Sequence, residues 1–223
     1  MAQRPKVAAF DIIGTVFSLE PLRYALTRLG LPAMALDWLY TATLRDSFAL
    51  AASNSFAPFQ AVLGACLDEL LALQGREAGP DQRQAILGLM QDLPAHDDAR
   101  PAFRTLAEAG IRIVALSNGS VKATRTLLDK ADLNGFVADI LSVEDIALAK
   151  PRPKVYLYAA QASGVAPSEM ALVAAHPWDV HGALCADLIG AYVARGRPYA
   201  PALRQPDIAG DTLRAVAERL AAR

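Results

Sequence analysis

Cysteine is scarce in this chain of 223 residues: there are two, Cys66 and Cys185, and their spacing is neither that of a metal site nor that of a redox pair. A disulfide framework and a cysteine-bound metal are therefore excluded as organising principles. Both cysteines lie in apolar, helix-like settings and are expected as reduced core residues. A surplus of charge is missing too. The formal net charge is -1 and there is no long basic run, so the electrostatic footprint of a nucleic-acid-binding or anionic-membrane protein is absent and a small or neutral partner fits better. No stretch reaches the roughly 20 consecutive apolar residues that span a bilayer. Arg4 and Lys6 precede an apolar stretch that Asp11 interrupts too early for a secretory leader, so a cytoplasmic protein is expected. Repeats and low-complexity tracts are lacking as well. What is present is apolar content: 53% hydrophobic residues, enough for one ordinary domain with a smaller insertion.

The run Lys6 to Phe10 reads as a buried strand and ends in Asp11-Ile12-Ile13-Gly14-Thr15. A carboxylate there sits where open α/β sheets carry out chemistry. Desolvation makes it costly unless cations or donors surround it; a turn or helix-capping Asp is the plainer alternative. Three later apolar runs also end in polar residues: Ile111–Leu116 before Ser117-Asn118-Gly119-Ser120, Ala149-Lys150-Pro151, and Met170–Val173 before Ala174-Ala175-His176-Pro177-Trp178-Asp179. Parallel strands bring such tips to one edge.

Between Glu20 and Gln91 apolar residues recur at helical spacing with no convincing strand, and the Pro94 to Asp98 cluster suits a hinge and a helix start. From Arg100 onward helix and strand alternate, with strands expected at 111–116, 138–142, up to Val173 and 190–194, and a closing helix at 211–222. The fold expected is α/β, a doubly wound, Rossmann-like parallel sheet, with a helical cap inserted after the first strand. Residues 1–16 and 95–223 form the core and residues 17–94 the cap.

The ordered set of Asp11, Ser117-Asn118-Gly119, Lys150-Pro151 and Trp178-Asp179 resembles the haloacid dehalogenase superfamily, and within it the 2-haloacid dehalogenase branch, over nearly the whole chain. The resemblance implies a hydrolase in which Asp11 is the nucleophile and forms an ester later split by water. Lys150 then keeps Asp11 ionised and offsets charge. Ser117 and Asn118 either bind the substrate carboxylate or merely turn the chain and cap the next helix. Thr15 either hydrogen-bonds Asp11 or begins the exit toward the cap. Asp179 is either the base for the hydrolytic water or a first-turn helix Asp, and Trp178 is either a pocket wall or core packing.

Family phosphatases carry a second Asp two positions after the nucleophile and a further carboxylate for magnesium; here Ile13 and Ala175 stand there, so no metal and no cofactor are expected, and weak magnesium binding is retained only under a phosphatase alternative. The substrate expected is a small 2-substituted carboxylate, its alkyl part lined by the counterparts Ile13, Leu44, Phe59 and Trp178. Two motifs depart from the family. The cap Trp-Arg pair, whose arginine receives the halide, is matched by Leu39-Tyr40, with Arg45 the nearest cation; the asparagine of Ser-Ser-Asn-Ala-Trp-Asp is matched by His176, either a replacement donor or a partly exposed loop residue. Hydrolytic ring opening of a cyclic amino acid of the azetidine-2-carboxylate type, a phosphatase, and a catalytically silent binding homologue are the alternatives. The resemblance also suggests a homodimer.

Overall fold

The Lys6 to Phe10 run shows no alternation of polar and apolar residues, the mark of a strand covered on both faces. In the computed structural model, which describes residues 4–223, it forms β1 (Val7–Phe10) in the interior of a six-stranded sheet, every residue of it buried. Four helices follow: α1 (Glu20–Arg28), α2 (Ala35–Ala52), α3 (Phe59–Leu73) and α4 (Pro80–Gly88). The alternating half then runs α5 (Ala99–Glu108), β2 (Arg112–Ser117), α6 (Val121–Lys130), β3 (Val137–Ser142), α7 (Pro153–Ala162), β4 (Met170–Ala174), α8 (Pro177–Leu184), β5 (Ile189–Val193), β6 (Ile208–Gly210) and α9 (Leu213–Ala221).

The sheet order is β3-β2-β1-β4-β5-β6, all pairs parallel. The chain winds outward from β1 to β3, then returns to lay β4 to β6 on the other side, so β1 and β4 bracket the reversal where doubly wound sheets leave a crevice beyond the strand ends. Phe10 is level with Ala115 of β2 and Val173 of β4. That register brings the residues after Phe10, Ala115 and Val173 to one edge.

One face of the sheet packs Phe10 against Phe103 of α5, ring centroids 4.7 Å apart, and the same apolar cluster continues into Leu39, Leu63 and Leu67 of the helical segment. The other face packs Val155 and Tyr156 of α7 against Leu172 and Tyr192. The two passages of chain into and out of the helices run side by side: the Ser18 N–H donates to the Pro94 carbonyl and the His96 N–H to the Val16 carbonyl, each at 2.9 Å. Among the described residues, no helix is long and apolar enough to cross a membrane.

Two elements differ from the sequence reading. Strand β6 was not anticipated, because three residues carry no periodicity and it is recruited by pairing with β5. Cys66 is buried as expected, whereas Cys185 lies at the end of α8, where the helix turns outward, and is exposed. Replacing Phe103 by Ala removes a fully buried ring that touches both Phe10 and Phe136. Urea unfolding is expected to show a loss of about 3–5 kcal/mol, and a loss under 1 kcal/mol would contradict this packing.

Candidate active site

Asp11 follows the last residue of β1, and its N–H still bonds to the Val173 carbonyl at 3.0 Å, so the carboxylate projects from the sheet edge between β2 and β4. Gly14 turns the chain back with φ +80°, and a Cβ there would lie 2.8 Å from His176 Cε1. The glycine thus serves the turn and the close approach of the imidazole. Thr15 answers its open question: its hydroxyl donates to Asp11 Oδ2 at 2.6 Å and accepts the Ala175 N–H at 2.9 Å, stitching the β1 and β4 tips together. Arg195, just past β5, braces the same turn through the Thr15 carbonyl at 3.0 Å and Asp98.

Lys150 is 0% exposed. Its Nζ lies 3.2 Å from Asp11 Oδ1 and 2.7 Å from Asp179 Oδ2. Burial is the strongest single influence on this ammonium and acts to lower its pKa, yet the two carboxylates together outweigh it and hold it above the usual lysine value. Asp179, in the first turn of α8, has both oxygens committed: Oδ2 to Lys150 and Oδ1 to the Tyr156 hydroxyl at 2.6 Å. Burial pushes the Asp179 carboxyl up against the pull of Lys150, and pushes the Tyr156 phenol well above 10, which leaves Tyr156 a donor. Tyr156 escaped the sequence reading. The available signal was a tyrosine on the apolar stripe of a helix one turn after Lys150, where a buried hydroxyl needs a partner.

Ser117 is buried at the end of β2, and its oxygen accepts the Gly119 N–H at 2.9 Å, leaving its proton free to donate. It lines a cavity of about 100 Å3 together with Ile13, Phe59, Gly119 and Ser120. Ser120 caps α6 by accepting the Ala123 N–H, so Ser117 is not needed as the cap. Asn118 is used differently from expectation: its Oδ1 accepts the Lys150 N–H at 3.3 Å and ties two tips together. On the other side of Asp11, His176 Nδ1 is 3.2 Å from Asp11 Oδ2 and 3.5 Å from Thr15 Oγ1, while its Nε2 is 3.1 Å from the Tyr40 hydroxyl. His176 is thus a contact of Asp11 and is only partly exposed. Burial lowers its pKa below the ordinary 6.5. A second cavity, about 280 Å3, opens there, with Gly14, Tyr40, His96, Arg195 and Arg197 in its wall; the sequence reading missed Arg195 and Arg197 because the loop after β5 carries no motif, and took His96 only as part of the hinge cluster.

Three expected pocket residues sit elsewhere. Arg45 is turned to the surface and paired with Asp46 at 2.7 Å and Glu69 at 3.5 Å, because its place on α2 faces away from the sheet edge. Leu44 is buried and lines neither cavity. Trp178 stands between Phe48 of α2 and His176, with ring centroids 5.1 and 5.4 Å away, and so wedges the helices against the imidazole.

Comparison with known proteins agrees with this geometry. A family model described as haloacid dehalogenase-like hydrolase matches residues 5–187. The (S)-2-haloacid dehalogenase 4A of Burkholderia cepacia is 26% identical over 186 residues, covering 82% of this chain and 80% of the relative. A protein of Mycobacterium tuberculosis described as a phosphatase is 29% identical over 167 residues, covering 71% of this chain and 72% of that one. In fold, the L-2-haloacid dehalogenase of Xanthobacter autotrophicus with chloropropionic acid covalently bound superposes with a TM-score of 0.87 at 23% identity, over 98% of each chain. With a carboxylate at the β1 tip, a buried lysine beside it and a matching fold, the chain belongs to the haloacid dehalogenase-like hydrolases.

Proposed function

We propose that this hydrolase displaces the substituent, most simply a halide, from C2 of a small carboxylate: Asp11 attacks C2 to give an ester, which water then splits. The observation that carries the reading is the Lys150 ammonium, buried between Asp11 and Asp179. A fixed cation beside Asp11 keeps the nucleophile ionised and offsets the charge that moves during displacement. The cavity of about 100 Å3 beside Ser117 admits only a small molecule, and the free Ser117 proton suits a carboxylate held there. Ile13 offers no proton to a leaving group, which a halide does not need and a phosphate ester does. The Xanthobacter autotrophicus relative, with its covalently bound chloropropionic acid, supplies the parallel for the ester.

The donor set favours chemistry without a cofactor. A magnesium ion requires several hard oxygen ligands in octahedral geometry. Here Asp11 and Asp179 both already hold an ammonium, and the family's other two carboxylate positions are Ile13 and Ala175. The residues present therefore do not fit that ion, and the phosphatase description of the Mycobacterium relative is not carried over.

Chloride release from (S)-2-chloropropionate tests the reading. The wild-type chain is expected to release chloride and to yield the inverted 2-hydroxy acid, (R)-lactate; Asp11→Asn is expected to fall by more than ~10^3-fold, the scale on which removing a covalent nucleophile acts. Magnesium-stimulated turnover of p-nitrophenyl phosphate with no chloride release would reject it. Replacing Lys150 by Met leaves two buried acids uncompensated, and urea unfolding at neutral pH is expected to show a loss of about 3–5 kcal/mol with chloride release abolished. The raised lysine pKa sets the sign of the pH dependence: this stabilisation is fully present below 10.5 and is lost as pH rises through the folded-state value above it. Wild-type unfolding free energy is thus expected to drop at strongly alkaline pH, and Lys150→Met is expected to lack that drop.

A further inference from the structure

Two of the positions at which the sequence departs from the 2-haloacid dehalogenase pattern touch each other. Tyr40 stands where the halide-receiving arginine is expected and His176 where the asparagine is expected, and the Tyr40 hydroxyl lies 3.1 Å from His176 Nε2. We propose that His176 is the base that activates the hydrolytic water in the second half of the reaction, with Tyr40 setting which ring nitrogen carries the proton. This rests on the ester chemistry proposed for Asp11.

Asp179 is badly placed for that task. It is 0% exposed, and its oxygens already accept from Lys150 at 2.7 Å and from Tyr156 at 2.6 Å, so a water at Asp11 has no solvent-facing oxygen of Asp179 to meet. His176 has the opposite properties. Its Nδ1 is 3.2 Å from Asp11 Oδ2, within reach of a water at the ester carbon, and the cavity of about 280 Å3 bordered by Gly14, His96 and Arg197 brings solvent to the ring. The charged and titratable groups facing it are Asp11 from β1, Lys150 and Asp179 below, Tyr40 from α2 and Arg197 from the loop after β5. Burial holds the imidazole neutral at neutral pH, the form that accepts a proton.

Tyr40 makes both tautomers available. In the free enzyme the fitting tautomer carries its proton on Nδ1, 3.2 Å from the Asp11 carboxylate, and leaves Nε2 to accept the Tyr40 O–H. Esterification removes the charge on Asp11, and the proton then belongs on Nε2, donating to the Tyr40 oxygen, whose own O–H turns to the Ile13 carbonyl at 3.4 Å. Nδ1 is now bare. It takes a proton from water as the water oxygen bonds to Asp11 Cγ and the carbonyl electron pair moves onto its oxygen. Collapse re-forms the carbonyl and breaks the bond from Cγ to the oxygen attached to C2; that oxygen receives the proton from the imidazolium and departs as the 2-hydroxy group. Asp11 is left as a carboxylic acid and loses its proton to solvent.

Acid-quench mass spectrometry of the intact chain, with chloride release followed in parallel over a pH series, separates the two half-reactions for (S)-2-chloropropionate. His176→Asn keeps a polar side chain at that position but cannot accept a proton. It is expected to release about one chloride per chain in a burst and then stall as the ester, with ester decay slowed by ~10^2-fold or more. Wild-type ester decay is expected to fall on the acid side with an apparent pKa below that of an ordinary histidine, and His176→Asn to lose that limb. Tyr40→Phe is expected to keep the burst, with ester decay between the two and the acid limb displaced. Ester decay in His176→Asn at the wild-type rate with the same limb overturns the proposal, and a Tyr40→Phe profile superposable on wild type overturns the part given to Tyr40. A wild-type chain that gives neither burst nor ester overturns the underlying reading, and this inference with it.

Discussion

A lysine ammonium with no solvent contact is tolerable only where opposite charge surrounds it. Lys150 meets that condition by touching two acids, and much of the site follows from satisfying it. Asp179 must be buried to reach it, so Asp179 needs Tyr156 as a second donor. Tyr156 must approach α8 closely, so residue 182 is glycine: a Cβ there would be 2.6 Å from the Tyr156 hydroxyl and 2.8 Å from Pro151 Cβ. Asn118 then anchors the Lys150 backbone from the β2 tip. One acid, one lysine and one phenol form a closed floor, and Asp11 is the member of the cluster that keeps a margin of exposure, at 6%. That asymmetry distinguishes the two carboxylates that share Lys150.

Above the floor, the helical segment meets the sheet edge through specific contacts rather than by general apolar packing alone. Phe48 presses on Trp178, Arg152 donates to the Ala51 carbonyl at the end of α2, and Tyr40 reaches His176. With Arg45 facing outward, the side chain that α2 brings to His176 is the Tyr40 phenol and not a cation. The cations that remain near the larger cavity, Arg195 and Arg197, come from the core loop after β5.

The strands and helices of the core were legible because buried parallel strands write themselves as unbroken apolar runs, as in Val7–Phe10 and Met170–Ala174. The tips were legible because charge at the end of such a run demands a reason, and Asp11, Lys150 and Asp179 share one. Side-chain direction was not legible. Arg45 and Tyr40 sit five residues apart on one helix, and only the rotation of α2 against the sheet decides that Tyr40 points in and Arg45 out. The tie from the Asn118 side-chain oxygen to the Lys150 backbone N–H was not legible either, since it leaves no trace in composition or spacing. Tyr156 and β6 were missed for the same reason, as tertiary contacts assign them their roles.

The central claim is that Asp11 forms a covalent ester at C2 and that water attacks the ester rather than the substrate. A single turnover with excess chain in heavy-oxygen water tests it directly. The account predicts that the heavy oxygen appears in the Asp11 carboxylate and the first hydroxy acid released carries the ordinary isotope. Heavy oxygen in that first product, with Asp11 unlabelled, would contradict it.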